Sequence, residues 1–201
     1  MGAAGLIEIK RRLKSVESTR KITKAMGLVA TSKLRKVRNE LANNEKYNEL
    51  CKDIVDVVVS NLPEGYESIY CTERKGDKLY IVLTSDTGLC GGYNNNVIAY
   101  LKEVLDNESG SEKIVLVGSK GLSYMSKYGL STFNQYVSIP DIPTISEINK
   151  IYNEAIYLYK QGDISEVNIV YTKFISPMKQ EPILIKMLPF EPDSSKKEDY
   201  L

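Results

Sequence analysis

The sequence predicts an α/β protein: a long N-terminal coiled-coil helix projecting from a Rossmann-like body with a mostly parallel sheet and an antiparallel edge hairpin. Three features carry that expectation. Proline is absent until Pro63, and Gly27 is the only glycine between Leu6 and Leu62, so the opening stretch holds almost no helix breaker. Strand-like apolar runs then alternate with segments of helical period, as in βαβ units. Near the end, two further strand-like runs are joined by SPMKQE (176–181), which reads as a hairpin turn.

The first element spans residues 1–62. Its apolar residues recur at three- and four-residue spacing through Leu6, Ile9, Leu13 and Val16, then Ile22, Met26 and Val29. The stripe resumes at Ala30, Leu34, Val37 and Leu41, and again at Cys51, Val55, Val58 and Leu62. It slips after Val16 and after Val29, and passes through a polar interval at Asn44 and Asn48, so the buried face rotates along the helix. About 55 helical residues make a rod of about 80 Å. A compact 200-residue globule has a radius of gyration of only about 16–17 Å. Such a rod needs a partner along its apolar stripe. No later segment of this chain is long enough to supply one. The isolated chain is therefore expected to pair this helix with a second copy, to fold it back by breaking near Gly27 or Asn43–Asn44, or to leave its outer part disordered. Homodimerisation is the preferred outcome.

A linker at 63–76 leads to an α/β body at 77–192. There LYIVLTSD (79–86) reads as a buried strand, NNVIAYLKEVLDN (95–107) as a helix and KIVLVG (113–118) as a second strand. KGLSYMSKYG (120–129) reads as a helix, LSTFNQYVSI (130–139) as a strand and ISEINKIYNEAIYLYKQG (145–162) as a helix ended by Gly162. EVNIVYTKF (166–174) and PILIKMLPF (182–190) complete the sheet, and 193–201 begins a further segment.

Composition bounds the function. The net charge of +1 hides an asymmetry, because Lys10 to Arg38 holds eleven Lys or Arg and one acid, Glu17, a local balance of +10. The remainder is acidic. Histidine is absent, which excludes His-based triads, His general bases and mixed Cys/His zinc sites. Cys51, Cys71 and Cys90 are widely spaced and read as reduced thiols, with Cys90 expected to be buried or semi-buried. No stretch approaches a transmembrane span, and the first residues lack a signal peptide's apolar core. No catalytic residue, cofactor or metal site is expected.

One segment tests that expectation: TGLCGGYN (87–94) follows a strand and opens a helix, the arrangement of many phosphate sites. Its glycines, Gly88, Gly91 and Gly92, lack the G-x-G-x-x-G spacing, and no acid ends the next strand. A Walker loop occurs nowhere in the chain. Asp86 would also set a negative charge beside any phosphate. The glycines are better read as a tight turn closed to side chains, with at least one at positive φ.

Two other function classes fit parts of the sequence. A nucleic-acid binder would use the basic arm, but that arm has no aromatic residue between Leu6 and Tyr47 and carries a long apolar seam. A small-molecule α/β enzyme would use the glycine turn, against which stand the failed fingerprints and the missing histidine.

The combination of IKRRLKSVESTRKITKAMGLVATSKLRK (9–36) with TSDTGLCGGYN (84–94) resembles the gamma subunit of the rotary ATP synthase. The first segment is similar to that family's N-terminal rotor helix, the second to its Gly-Leu-Cys-Gly loop. Where the family commonly carries Arg or Lys, this chain has Thr87. The family continues into a long C-terminal helix that winds against the first, so the chain is expected to be a fragment lacking it. The resemblance implies a non-catalytic central-stalk rotor subunit that couples ion flow through a membrane ring to conformational cycling of the catalytic beta subunits. Its implied partners are the alpha and beta subunits of the catalytic hexamer, the epsilon subunit and the membrane rotor ring, with no nucleic acid. Its implied place is the cytoplasmic face of the cell membrane, as a peripheral part of the complex that is soluble when isolated. Implied subunit-interface residues on the helix are Lys10, Arg11, Arg12, Lys21, Lys24, Met26, Lys33, Arg35 and Lys36. In the loop they are Asp86, Gly88, Leu89, Cys90, Gly91, Gly92 and Asn94.

Overall fold

The structure, a computed structural model, describes residues 2–63, 65–108 and 110–192. The segment expected at 193–201 lies outside the described residues. The chain divides into two compact units, Met1–Asp53 and Ile54–Leu201.

Helix α1 (Gly2–Ser60) forms the first unit and ends in the second. Its 59 residues correspond to about 89 Å at 1.5 Å per residue. It is unbroken at Gly27 and at Asn43–Asn44, so the fold-back expected as one option does not occur. A single glycine costs a helix only about 1 kcal/mol, which cooperativity over so many turns absorbs. Here the Thr31 hydroxyl also donates to the Gly27 carbonyl at 2.8 Å. Thr19 and Thr23 bond back to Ser15 and Thr19 in the same way. The apolar stripe is in water: Leu13 is 58% exposed and Leu34 47%.

The second unit is built on a five-stranded sheet of order β3-β2-β1-β4-β5. In chain order the elements are β1 (Asp77–Leu83), α2 (Tyr93–Asn107), β2 (Glu112–Val117), α3 (Gly121–Lys127), β3 (Asn134–Tyr136), α4 (Ile145–Gln161), β4 (Ile164–Ser176) and β5 (Lys179–Leu188). β1 lies parallel to β2 and β4, and β2 parallel to β3. β5 closes the edge antiparallel to β4. The α/β class, the long N-terminal helix, the mostly parallel sheet and its antiparallel edge pair are as predicted.

Period-two alternation splits the core between the two faces. Tyr80, Val82, Ile114 and Leu116 meet Val97, Ile98 and Leu101 of α2 and Met125 of α3. Leu79, Ile81, Val115 and Val117 meet Ala155, Leu158 and Tyr159 of α4. Each fully buried aliphatic side chain contributes about 1.5–3 kcal/mol. α4 starts in a capping box, with the Thr144 N–H donating to the Glu147 carboxylate at 2.6 Å, and stops at Gly162, φ 84. Part of the expected linker is tied to this body. The Tyr159 hydroxyl donates to the Ile69 carbonyl at 2.6 Å, and the Arg74 guanidinium lies 4.2 Å from the Tyr159 ring centroid.

Two strands are shorter than expected. LYIVLTSD leaves the strand after Leu83, although the Thr84 N–H still donates to the Val117 carbonyl at 2.7 Å. The strand expected over 130–139 contracts to Asn134–Tyr136, because it sits at the edge and pairs only with β2.

Candidate functional site

The loops leaving β1, β2 and β3 converge at the C-terminal edge of the sheet, where open parallel sheets place their ligand sites. Here those loops bind one another. Asn94, in the first turn of α2 and 3% exposed, accepts the Ser85 N–H at 2.9 Å. Its amide donates to the Ser85 hydroxyl at 2.8 Å and to the Cys90 sulfur at 3.3 Å. The Ser85 hydroxyl donates to the Thr87 carbonyl at 2.7 Å. Asp86 accepts the backbone N–H of Ser119 at 2.9 Å and of Ile139 at 3.2 Å. The Ser119 hydroxyl returns a bond to the Asp86 carbonyl at 3.2 Å. Burial pushes the Asp86 carboxyl up, but the backbone N–H groups of Ser119, Ser138 and Ile139 and the Ser119 hydroxyl outweigh it and hold it below its ordinary range.

The expected positive φ occurs at Gly91, at 58°. The turn is closed to side chains only in part: the space beside Gly88 is open, Gly91 also has open space but a left-handed backbone that strains any side chain, and a Cβ on Gly92 would lie 3.2 Å from the Asn96 amide. Closer approach occurs at Gly118 and Gly121. A Cβ on Gly118, whose φ is 98°, would lie 2.4 Å from the Thr84 carbonyl oxygen, and one on Gly121 2.6 Å from the Thr84 hydroxyl. Cys90, expected to be buried or semi-buried, is exposed, because it stands in the turn ahead of α2, outside both core clusters, and only its sulfur reaches the buried Asn94 amide. Leu89 carries φ 62° and is 90% exposed.

On the α4 face of the sheet an apolar groove of about 970 Å³ opens beside this loop cluster. Ile81, Leu83 and Ile169 of the sheet line it, with Ile148, Ile151 and Ile156 of α4. Asp86, Asp141 and Glu147 lie on its rim, of which Asp86 is bound to the loops and Glu147 to the α4 cap. Among the described residues, no three metal-ligating side chains come together.

The expected interface residues fall into two sets. Asp86, Gly88, Leu89, Cys90, Gly91, Gly92 and Asn94 gather in the loop cluster of the second unit, though Asp86 and Asn94 spend their polar groups inside it. Lys10, Arg11, Arg12, Lys21, Lys24, Lys33, Arg35 and Lys36 are exposed on α1, and Met26 among them is 48% exposed. Successive helical residues are 100° apart, so Lys10, Arg11 and Arg12 point to three sides. The arm is a positive sleeve, not a stripe. Ser85, Ser119, Ile139 and Gly118 escaped the sequence reading. The one signal for them is their position just past parallel strands whose ends must converge.

Together these features define an α/β protein with a long basic helical arm, whose glycine-rich turn is laced to its own sheet and built unlike a phosphate cradle. The family model described as ATP synthase matches residues 5–201. The ATP synthase gamma chain of Clostridium botulinum (strain Eklund 17B / Type B) is 52% identical over 202 residues, covering 100% of this chain and 71% of that relative. That of Clostridium beijerinckii is 50% identical, over 94% of this chain and 67% of the relative. Among solved structures, the rotor of Euglena gracilis mitochondrial ATP synthase is similar with a TM-score of 0.64 at 18% identity, over 94% of this chain and 64% of that one. The central stalk and c-ring structure of Tetrahymena thermophila mitochondrial ATP synthase gives a TM-score of 0.60 at 24% identity, over 84% of this chain and 72% of that one. The chain belongs to the ATP synthase gamma chain family.

Proposed function

We propose that the chain is the central-stalk rotor subunit of an ATP synthase and has no catalytic activity of its own. The observation that carries this reading is α1: one unbroken helix of 59 residues that carries an apolar stripe and is exposed over residues 5–50. An amphipathic helix of that length is stable as a working part only when other chains cover it. The alpha and beta subunits of the catalytic hexamer are its proposed surroundings. Its positive sleeve suits an acidic ring lining, because charge attraction is long-range and weakly directional, as a turning contact requires. Rotation of the shaft would change which beta subunit is open, tight or loose. The second unit is the proposed foot, resting with the epsilon subunit on the membrane rotor ring at the cytoplasmic face. No helix among the described residues is long and apolar enough to cross a membrane, which fits a peripheral role. Isolated, the chain is proposed to dimerise through α1.

The test is co-expression with the alpha and beta subunits, followed by affinity capture through this chain. The expected result is recovery of both subunits in a complex that hydrolyses ATP. Recovery of this chain alone, beside a separately assembled alpha–beta ring, would overturn the reading.

A further inference from the structure

The strand order β3-β2-β1-β4-β5 reverses direction between β1 and β4. In open α/β sheets the crevice at such a reversal, beyond the C-terminal ends of the strands, is where ligands bind. The apolar groove of about 970 Å³ stands at this place. The sheet contributes Ile81 and Leu83 of β1 with Val167 and Ile169 of β4, and α4 contributes Ile148 across from them. Pockets that hold small molecules measure about 300–1,000 Å³ and are lined mostly by apolar side chains. Charge decides what such a groove takes. Among its described lining residues are three carboxylates, Asp86, Asp141 and Glu147, and no Lys or Arg. Hydrogen bonds from Ser119 and Ile139 fill the Asp86 oxygens but leave its negative charge in place. The hydroxyl and N–H of Thr144 hold the Glu147 carboxyl below its ordinary range, so it is ionised at neutral pH. Like charges around an apolar space repel a phosphate, a nucleotide or a fatty acid and attract a cation.

We propose that this groove is a binding site for a small amphiphilic cation, an apolar body that carries one amine or quaternary ammonium head. The body lies between the β1–β4 floor and α4, where burial removes it from water. The head lies at the acidic rim, where it meets opposite charge and keeps its contact with solvent. That placement avoids the cost of burying a charge in the apolar part of the groove. Every lining residue belongs to the second unit, so the site stands whether or not the chain turns in an assembly.

The test uses the full chain and three ligands that share one tail and differ in the head: decyltrimethylammonium, decanoate and decanol, each below the concentration at which it forms micelles. Calorimetry reads affinity and stoichiometry, and a thermal melt reads the linkage to folding. Decyltrimethylammonium is expected to bind one per chain and to raise the melting temperature. Decanoate is expected to bind at least about tenfold more weakly, with decanol between the two. I148K sets a cation at a wall position that is 50% exposed, and D141N/E147Q removes two rim charges. Each is expected to weaken the cation about threefold to tenfold. Equal affinity for all three heads, or unchanged cation affinity in both variants, would overturn the site. So would a fall in melting temperature, the mark of a surfactant that binds the unfolded chain. A peptide of residues 9–36, both basic and apolar, is the last arm. If it displaces the cation and binds more tightly, the groove is a helix-docking surface and the small-ligand site falls. None of these results bears on capture of the alpha and beta subunits, which tests the rotor reading separately.

Discussion

The carboxylate of Asp86, just past β1, accepts the backbone N–H of Ser119, just past β2, at 2.9 Å, and in doing so ties two crossover loops at one end of the sheet. A carboxylate in that role is a structural clasp. It turns a residue that looked hostile to phosphate into the reason the loops keep their shape.

Asp86→Asn places an amide N–H₂ against backbone donors that the carboxylate accepts, and is expected to cost about 1–3 kcal/mol at neutral pH. The pH dependence has a definite sign. The folded-state carboxyl titrates below its ordinary value, so its contribution is complete above the unfolded value of about 4 and is lost as pH falls through the folded one. Chemical denaturation from pH 7 down to pH 2 should show the wild-type advantage over D86N shrinking through the acid limb. A constant difference across that range would contradict the assignment.

Asn94 is buried and hydrogen-bonded to Ser85 and Cys90. Asn94→Ala leaves the Ser85 N–H without its acceptor and is expected to destabilise the second unit by about 1–3 kcal/mol. Amide hydrogen exchange at Ser85 should speed up in the variant while the α4 core stays protected. Unchanged exchange at Ser85 would mean the loop does not depend on this side chain.

The glycines separate cleanly. Gly118→Ala forces a Cβ against the Thr84 carbonyl at positive φ, a backbone clash no rotamer relieves, and is expected to cost about 2 kcal/mol or more. Gly88→Ala meets open space at a φ outside the left-handed region and is expected to be neutral or stabilising by about 0.4–1 kcal/mol. Thermal melts of the two variants decide the ordering.

Much of this was legible before the fold was seen. The long helix, the strand–helix alternation and the closing hairpin follow from periodicity and breakers, which are local. What failed was set by distance in the chain. Gly118 read only as the last residue of a strand, because nothing in KIVLVG announces that Thr84, far away in sequence, will press against it. Gly88, Gly91 and Gly92 drew attention as a cluster, yet the strained backbone sits partly on Leu89, which propensity places elsewhere. Asp86 could be read for its charge but not for the donors that Ser119 and Ile139 would bring to it.

The positive sleeve makes a separate prediction. Replacing Lys10, Arg11, Arg12, Lys33, Arg35 and Lys36 with Gln should weaken assembly with the alpha–beta ring. The effect should be larger at about 0.01 M salt, where the screening length is about 30 Å, than at about 1 M, where it is about 3 Å. A salt-independent affinity that survives all six changes would reduce the sleeve to a solvated surface.

The central claim is that this chain turns inside its assembly, and rotation can be watched directly. Met178, at the tip of the β4–β5 hairpin and 96% exposed, offers an attachment point. With Cys51, Cys71 and Cys90 replaced by serine, a marker is fixed through M178C in a complex whose alpha–beta ring is held on a surface. Adding ATP is expected to drive the marker round in one direction in repeated steps. A complex that hydrolyses ATP while the marker on this chain never turns would contradict the account.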